Sequence, residues 1–201
     1  MEMLTALHQL PLPPGCRVRV LSPASVPEGA YTQWCTSVRQ TLQDEGTLAD
    51  LFWWQQHIPD EAKGSLDDIM ILCRNGLVLT LDYAAPETPE RFTGAGIAVL
   101  SDIIPGQKAQ VTVWYARGVV PQALKVPITR AVAQWVFATM EIPLLWAQRI
   151  SPREKNHFLT CGAEVWASIP DFAWHRGRTH TVEILRLTAK GIRHAEGKSD
   201  V

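Results

Sequence analysis

The sequence lacks a strong charge of either sign. Its 19 Lys and Arg face 20 Asp and Glu, which gives a formal net charge of −1 at pH 7. No global field therefore draws the chain to nucleic acid or to an anionic membrane, and we expect neither as a partner. A local basic patch formed by Arg17, Arg19, Arg176 and Arg178 stays open as an alternative. The 46% apolar and 19% charged shares are typical of a globular domain, and 201 residues suffice for a substantial core.

Long apolar runs and paired cysteines are missing as well. No run approaches the ~20 residues that cross a bilayer, and the opening MEMLTALHQLPLPPG, with an early acid and prolines, does not fit a signal peptide. The cysteines lie far apart at Cys16, Cys35, Cys73 and Cys161. Without a CxxC pair, a zinc knuckle or a thioredoxin-type site is disfavoured, and we expect reduced, mostly buried thiols in a cytoplasmic protein.

Motifs of common catalytic sites are also missing. The sequence has no Ser-His-Asp elbow, P-loop or HExxH motif. His175 and His180 bracket HRGRTH without an evident third ligand, so we expect a hairpin tip and no metal site. Gly94-Ala95-Gly96 imitates part of a dinucleotide fingerprint, but no strand precedes it and no helix follows.

The first half of the chain alternates between helical and strand patterns. RVRVL at 17–21 predicts a strand, and an apolar stripe at Trp34, Val38 and Leu42 predicts helix within 28–56. Two hairpins are then expected. One has IMILCR and LVLTLDY around Asn75-Gly76 as a type I′ turn, and the other has strands around Pro105-Gly106.

The second half predicts a helix, a strand, a helix and two strands. The expected elements are a helix over 126–141, a strand over 143–150, a helix opened by a Ser151 capping box and closed by Gly162, a strand at EVWASIP, a loop at DFAWHRGR and a strand over 179–188. We expect an arm over 1–15, one domain over 16–190 and a flexible tail over 191–201.

From about Asp67 to Leu187 this order resembles the GNAT N-acetyltransferase fold. The residues that carry the resemblance are ISPREKNHFLTCGAEVWASIP followed by THTVEILRL, together with DIIPGQKAQVTVWYARG. The resemblance implies an α+β (mixed α/β) fold with a central mixed, mostly antiparallel sheet of about six to seven strands flanked by helices. The abundance of tryptophan, eight in all, adds a resemblance to divergent GNAT-like proteins of tailed bacteriophages.

The family binds the diphosphate of acetyl-CoA on backbone amides between the fourth strand and the third helix. The resemblance places ARGVVPQALKVPITRAV there, where Gly118 is the lone glycine and Pro121 and Pro127 each lack an amide donor. Gly118, Lys125, Thr129 and Arg130 are the residues that could meet CoA phosphates. An ordinary solvated helix start, with Pro127 as its first residue, is the alternative that we favour.

The family also needs a base for the attacking amine and an acid for the CoA thiolate. Its acid is often a tyrosine four residues before the corner glycine, and this sequence has Phe158 there. Tyr115 and Asp102 remain as weak catalytic candidates. His157 is given little weight, because on a helix it would point away from Phe158.

Two functions follow. The first is a GNAT-like binding or assembly module with weakened or lost catalysis and no cofactor, possessing a protein partner or forming a homo-oligomer; a phage-encoded version would act in the host cytoplasm or the virion. The alternative is an acetyl-CoA-dependent N-acetyltransferase that acts on an amine of a protein or small molecule. The tryptophan surplus suits a buried interface and favours the first.

Overall fold

The fold is seen in a computed structural model that describes residues 10–21, 27–44, 48, 52, 54–55, 57–116, 118–150, 157–175 and 177–199. The expected capping box at Ser151 and the side chain of Arg176 lie outside these residues. Leu10 and Leu12, in the expected arm, pack against the main core.

One seven-stranded sheet organises the described chain, with strand order β1-β2-β3-β4-β5-β7-β6. Its strands are β1 (Cys16–Leu21), β2 (Leu77–Tyr83), β3 (Thr93–Ile104), β4 (Lys108–Tyr115), β5 (Leu144–Ile150), β6 (Glu164–His175) and β7 (Arg178–Leu187). Every neighbouring pair is antiparallel except β4 and β5, which run parallel. The expected mixed, mostly antiparallel sheet is thus confirmed.

Helices cover both faces of this sheet. They are α1 (Glu28–Asp44), α2 (Leu66–Asn75), α3 (Gln122–Thr139), α4 (His157–Thr160) and α5 (Ala189–Ser199), with a 3-10 turn at Asp60–Ala62. α1 and α2 enclose one apolar cluster against the sheet, in which Leu42, Ile69 and Val99 are buried. α3, α4 and α5 enclose the larger cluster on the other face, in which Val136, Leu145 and Ile192 are buried.

The prediction of a hairpin at Asn75-Gly76 is wrong, because IMILCR belongs to α2. Ser65 starts this helix with a capping box: its hydroxyl accepts from the amide of Asp68, whose carboxylate accepts from the amide of Ser65. A short apolar run does not by itself separate strand from helix, and here the cap decides. Gly76 has an extended backbone, and a Cβ there would stand 2.6 Å from the carbonyl oxygen of Leu100. Close packing on β3, rather than a turn, therefore requires this glycine.

The hairpin at Pro105-Gly106 is confirmed. Gly106 has a φ of +70° and joins β3 to β4, as a type II preference predicts. The strands at 17–21, 143–150 and 179–188 are confirmed too. β6 runs on to His175 and takes in DFAWH, which had been expected as a loop.

Helix α3 begins four residues before the predicted start. Pro121 is its N-cap, and Pro127 lies inside the helix instead of at its first position. The carbonyl that loses its usual partner to this proline belongs to Ala123, which is exposed in the first turn and can bond to water. The helix therefore tolerates the proline.

The chain near its end forms helix α5, where a flexible tail from residue 191 had been expected. Ile192 is completely buried against the main core. Gly191 and Gly162 meet backbone to backbone: a Cβ on Gly191 would lie 2.6 Å from the carbonyl oxygen of Gly162. Gly162, with a φ of +101°, also supplies the left-handed residue expected after the preceding helix. This glycine contact fixes α5 on the corner that follows α4.

Two glycines of α5 allow a matched test of that contact. Gly191→Ala should lower the free energy of unfolding by about 1–3 kcal/mol, because the new methyl group has rigid backbone in its way. Gly197→Ala has nothing within 4 Å of its new Cβ and should leave stability unchanged or raise it by up to about 1 kcal/mol. Urea unfolding monitored by circular dichroism measures both, and equal effects would contradict the packing described.

Candidate functional site

The parallel strands β4 and β5 pair over a short length and then separate. Their register covers Lys108–Gln110 against Leu144–Trp146 and goes no further among the described residues. The amide of Ala116 bonds to the carbonyl of Ala95 on β3. Since hydrogen-bonded pairs alternate along an antiparallel ladder, the backbone groups of Val113 face the β5 side instead. The gap between the strands is thus bordered by strand backbone.

A cleft of about 180 Å³ occupies this gap. Its polar lining comes from both strands and from two helices: Thr112, Tyr115, Thr129, Gln148 and His157. Phe158 and Leu185 supply apolar wall. The cleft therefore offers a narrow apolar slot with several hydrogen-bonding groups along it.

Tyr115 and Thr129 form a closed hydrogen-bond triangle with the carbonyl of Lys125. The Tyr115 hydroxyl lies 2.9 Å from that carbonyl and 2.8 Å from the Thr129 hydroxyl, which lies 2.8 Å from the same carbonyl. In either donor order, both hydroxyl protons stay within the triangle. Burial raises the pKa of Tyr115 well above its ordinary value. Tyr115 therefore ties β4 to α3, and it must leave the triangle before it can protonate a ligand.

His157 lies in the cleft beside Tyr115, contrary to the expectation that it points away. His157 and Phe158 both line the cleft. The imidazole meets the Tyr115 ring edge-on at 5.8 Å between centroids. Burial and, next, the positive charge of Lys125 lower the pKa of His157. The imidazole is thus neutral at pH 7 and able to accept a proton.

Phe158 and Asp102 do not supply the proton chemistry of the cleft. Phe158 is 7% exposed and packs in the main core, as its apolar ring predicts. Asp102 is exposed near the β3–β4 turn, at a register shift and with a φ of +46°, and it is not part of the cleft lining. The structure therefore does not bring together the two catalytic candidates, Tyr115 and Asp102.

The four residues proposed to meet CoA phosphates separate into two groups. Gly118 is exposed with a φ of +73°, and a Cβ there would meet nothing within 4 Å; Lys125 lies with its ammonium 5.6 Å from the Tyr115 ring centre. Both border the end of β4. Thr129 is buried in the triangle, and Arg130 lies 3.7 Å from Glu196 on α5. The latter two are engaged within the fold.

The start of α3 offers more free amides than the sequence predicted. Because the helix begins at Gln122, Pro127 removes no donor from its first turn. The amides of Gln122 and Ala123 belong to the first turn, where an α-helix offers no carbonyl partner of its own. Leu124 donates to the carbonyl of Pro121 at 3.0 Å. An exposed turn at Gly118 thus leads into a helix start with positive dipole character.

Within the ranges given above, no three His, Cys, Asp or Glu side chains group as metal ligands. The described helices also include none that is long and apolar enough to span a membrane. All four cysteines are free thiols, with Cys35, Cys73 and Cys161 buried. Burial raises the pKa of Cys161, which packs under α3, to about 11.

Comparison with solved structures gives consistent matches. A spermidine N-acetyltransferase from Vibrio cholerae, in complex with CoA and spermine, aligns with a TM-score of 0.63 at 12% identity, over 89% of this chain and 98% of that one. A ribosomal L7/L12 alpha-N-protein acetyltransferase in complex with coenzyme A aligns with a TM-score of 0.61 at 10% identity, over 90% and 98%. The chain has the GNAT fold. No family model and no curated protein sequence matches it.

The match to GNAT structures concerns the fold of this chain. At identities this low the likeness establishes architecture alone, so the activity of this chain must be argued from its own residues. The resemblance to proteins of tailed bacteriophages stays a prediction. So do the expected arm over 1–15 and the expected partner.

The hydroxyl triangle can be tested by a double-mutant cycle. Tyr115→Phe and Thr129→Val should each lower the free energy of unfolding by about 0.5–1.5 kcal/mol. The double variant should lose less than the sum, with a coupling of at least about 0.5 kcal/mol, because both hydroxyls serve one network.

The matched control is Thr36→Val on the exposed face of α1, whose hydroxyl makes the same kind of bond to the carbonyl of Thr32. This change should cost little and should not couple to Tyr115→Phe. Urea unfolding of the full set gives the coupling, and strict additivity of Tyr115→Phe and Thr129→Val would refute the triangle.

Proposed function

We propose that this chain binds an acyl-CoA thioester in the β4–β5 cleft and transfers its acyl group to an amine. The observation that carries the proposal is the separation of β4 from β5 beside a neutral His157. An extended chain that carries amides can bond to an exposed strand edge as an added strand does. The arm of CoA is such a chain, and the backbone of Val113 faces the position that it would take.

The helix start supports the other end of the ligand. A diphosphate is matched by first-turn amides at Gln122 and Ala123 and by the positive end of the α3 dipole. Gly118 leaves space for the approach, since a Cβ placed there would meet nothing within 4 Å. Lys125 adds a positive charge between this turn and the cleft. Thr129 and Arg130 are left out of the proposed phosphate site because both are engaged elsewhere.

His157 is the group that we assign to the proton of the amine. When the amine nitrogen bonds to the acyl carbon and the carbon–sulfur bond breaks, the amine must release one proton and the thiolate must gain one. A neutral imidazole accepts the first. The low pKa of His157 keeps it in this form over most of the physiological range. Solvent can protonate the thiolate, since Tyr115 is held in its triangle and Phe158 has no proton to give.

A second candidate function follows from Tyr115 and Phe158. A chain with Phe158 at the acid position and a bound Tyr115 hydroxyl fits a module that holds its ligand without turnover. The edge strand β6 exposes four apolar side chains: Val165, Trp166, Phe172 and Trp174. These side chains favour a protein partner or a second copy of the chain as the partner of such a module. In a phage-encoded chain, this role would belong to virion assembly.

Acetyl-CoA separates the two candidates. At ~100 times its Kd it should stabilise the protein by about 2.7 kcal/mol in thermal unfolding, and a panel of amines should yield free CoA and an acylated product by mass spectrometry. Ligand binding without product on any amine would favour the module. No stabilisation at millimolar acetyl-CoA would rule out the cleft as a thioester site.

The pH profile tests the role of His157. kcat/KM should fall as pH drops through a pKa below 6.5, since protonation removes the base. His157→Gln should lower kcat/KM by about 10²–10⁴-fold and abolish that acidic limb, while the Kd for acetyl-CoA stays within about threefold. The control His194→Gln changes an exposed histidine of α5 outside the cleft and should keep the full profile. An unaltered profile in His157→Gln would exclude this residue as the base.

A further inference from the structure

A second, larger cavity lies on the opposite face of the sheet from Tyr115. It has a volume of about 350 Å³, within the range of small-molecule sites. Trp114, the residue before Tyr115, projects into it, because successive residues of a strand point to opposite faces. The floor is formed by β1–β4, and α1 supplies one wall through Trp34 and Val38.

The cavity holds two arginines and one carboxylate. Asp82 is 7% exposed and accepts hydrogen bonds from Arg17 at 3.1 and 3.2 Å and from Arg19 at 3.2 Å, with a closest Arg19 contact of 2.9 Å. The described lining residues carry two positive charges and one negative charge, which leaves a net charge of +1. Arg17 and Arg19 remain 46% and 58% exposed. Their bonds to Asp82 use Nε and Nη2, so each fork keeps further N–H donors.

Flat aromatic surfaces surround this residual charge. Trp34, Trp114 and Phe92 line the cavity, and the Arg17 guanidinium lies 4.1 Å from the centre of the Phe92 ring. A guanidinium fork matches a carboxylate, and one monoanion would balance the surplus charge. Indole and phenyl faces match a planar apolar body. The two features lie in one cavity, so a ligand must satisfy both.

Glycine keeps the floor of the cavity open. Gly94 pairs with Asp82 across β2 and β3, and paired residues share a face of the sheet. A Cβ at Gly94 would meet nothing within 4 Å. Gly94 has no left-handed backbone that demands glycine. The absence of a side chain here therefore leaves room beside the arginines.

From this arrangement we propose that the cavity is a binding site for a small aromatic carboxylate, separate from the β4–β5 cleft. The carboxylate meets the exposed donors of Arg19 and Arg17, and the ring system lies between Trp34, Phe92 and Trp114. The proposal does not depend on acyl transfer. It also gives Gly94 a role in ligand access. The motif that contains this glycine, Gly94-Ala95-Gly96, did not fit a dinucleotide-binding loop.

The probe is 2-naphthoate, with 2-naphthamide as its neutral counterpart, titrated into the full chain by calorimetry. The carboxylate should bind at least about tenfold more tightly than the amide, because a charged hydrogen bond replaces a neutral one. Arg19→Gln brings the net charge of the lining to zero and should weaken 2-naphthoate by about tenfold or more. Gly94→Leu fills the floor and should abolish binding without touching either arginine.

The control Arg91→Gln removes an exposed guanidinium next to Phe92 that does not line the cavity, and it should leave the Kd within about twofold. Acetyl-CoA should not displace 2-naphthoate, which keeps this test apart from that of the cleft. Equal binding of the acid and the amide, no binding of either at millimolar concentration, displacement by acetyl-CoA, or full binding by folded Gly94→Leu would each overturn the proposal. Thermal unfolding checks that the variants are folded.

Discussion

The parting of β4 from β5 is the constraint on which the rest of the molecule depends. Two parallel strands that stay paired close the sheet and leave no room for a ligand. Here the pairing stops at Gln110 and Trp146, so strand backbone faces a gap instead of a neighbour. An exposed strand edge presents unpaired backbone amides and carbonyls that can pair with another chain unless something covers them. In this fold α3 and α4 cover one side, and the groups they bring, above all His157, become the lining of a cleft.

The residues near the cleft show why its chemistry differs from that of the rest of the core. The hydroxyl groups of Tyr115 and Thr129 form hydrogen bonds with each other and with the carbonyl of Lys125. These bonds hold α3 against β4. His157 is kept neutral by burial and by the charge of Lys125. The same packing that fixes the helix therefore removes one proton donor and prepares one proton acceptor. Among the described residues of the cleft, these contacts leave His157 able to accept a proton and hold the Tyr115 proton in the triangle.

The sequence predicted the outline of the fold where local signals are strong. Alternation in AQVTVWY and the Pro105-Gly106 pair identify β4 and its hairpin, because strand period and turn geometry are both local properties. IMILCR misled because a short apolar run suits a helix or a strand, and the cap at Ser65 outweighed it. The start of α3 was misplaced because Pro127 also suits a first helical position. The packing of α5 had no local signal, since it depends on the distant contact between Gly162 and Gly191.

The candidate site was less accessible to sequence reasoning. Tyr115 was named from the sequence as a possible proton donor, but the triangle that holds its proton joins residues 14 apart in the chain. His157 was missed because neighbours on a helix were assumed to point to different surroundings, whereas His157 and Phe158 both line the cleft. The arginine pair on β1 was noticed merely as a charge patch. Its place in a cavity can be recognised only from the strand register, which puts Asp82 opposite Arg17 and Gly94 opposite Asp82.

Amide hydrogen exchange with and without saturating CoA tests the central claim most directly. If β4 presents an open edge that the ligand completes, exchange should slow in the segment around Val113, with a smaller effect at Gln122 and Ala123. The segments of β1 and β2 should exchange as before. Unchanged exchange around Val113 in a sample that demonstrably binds CoA would contradict the account, because the ligand would then occupy another part of the molecule.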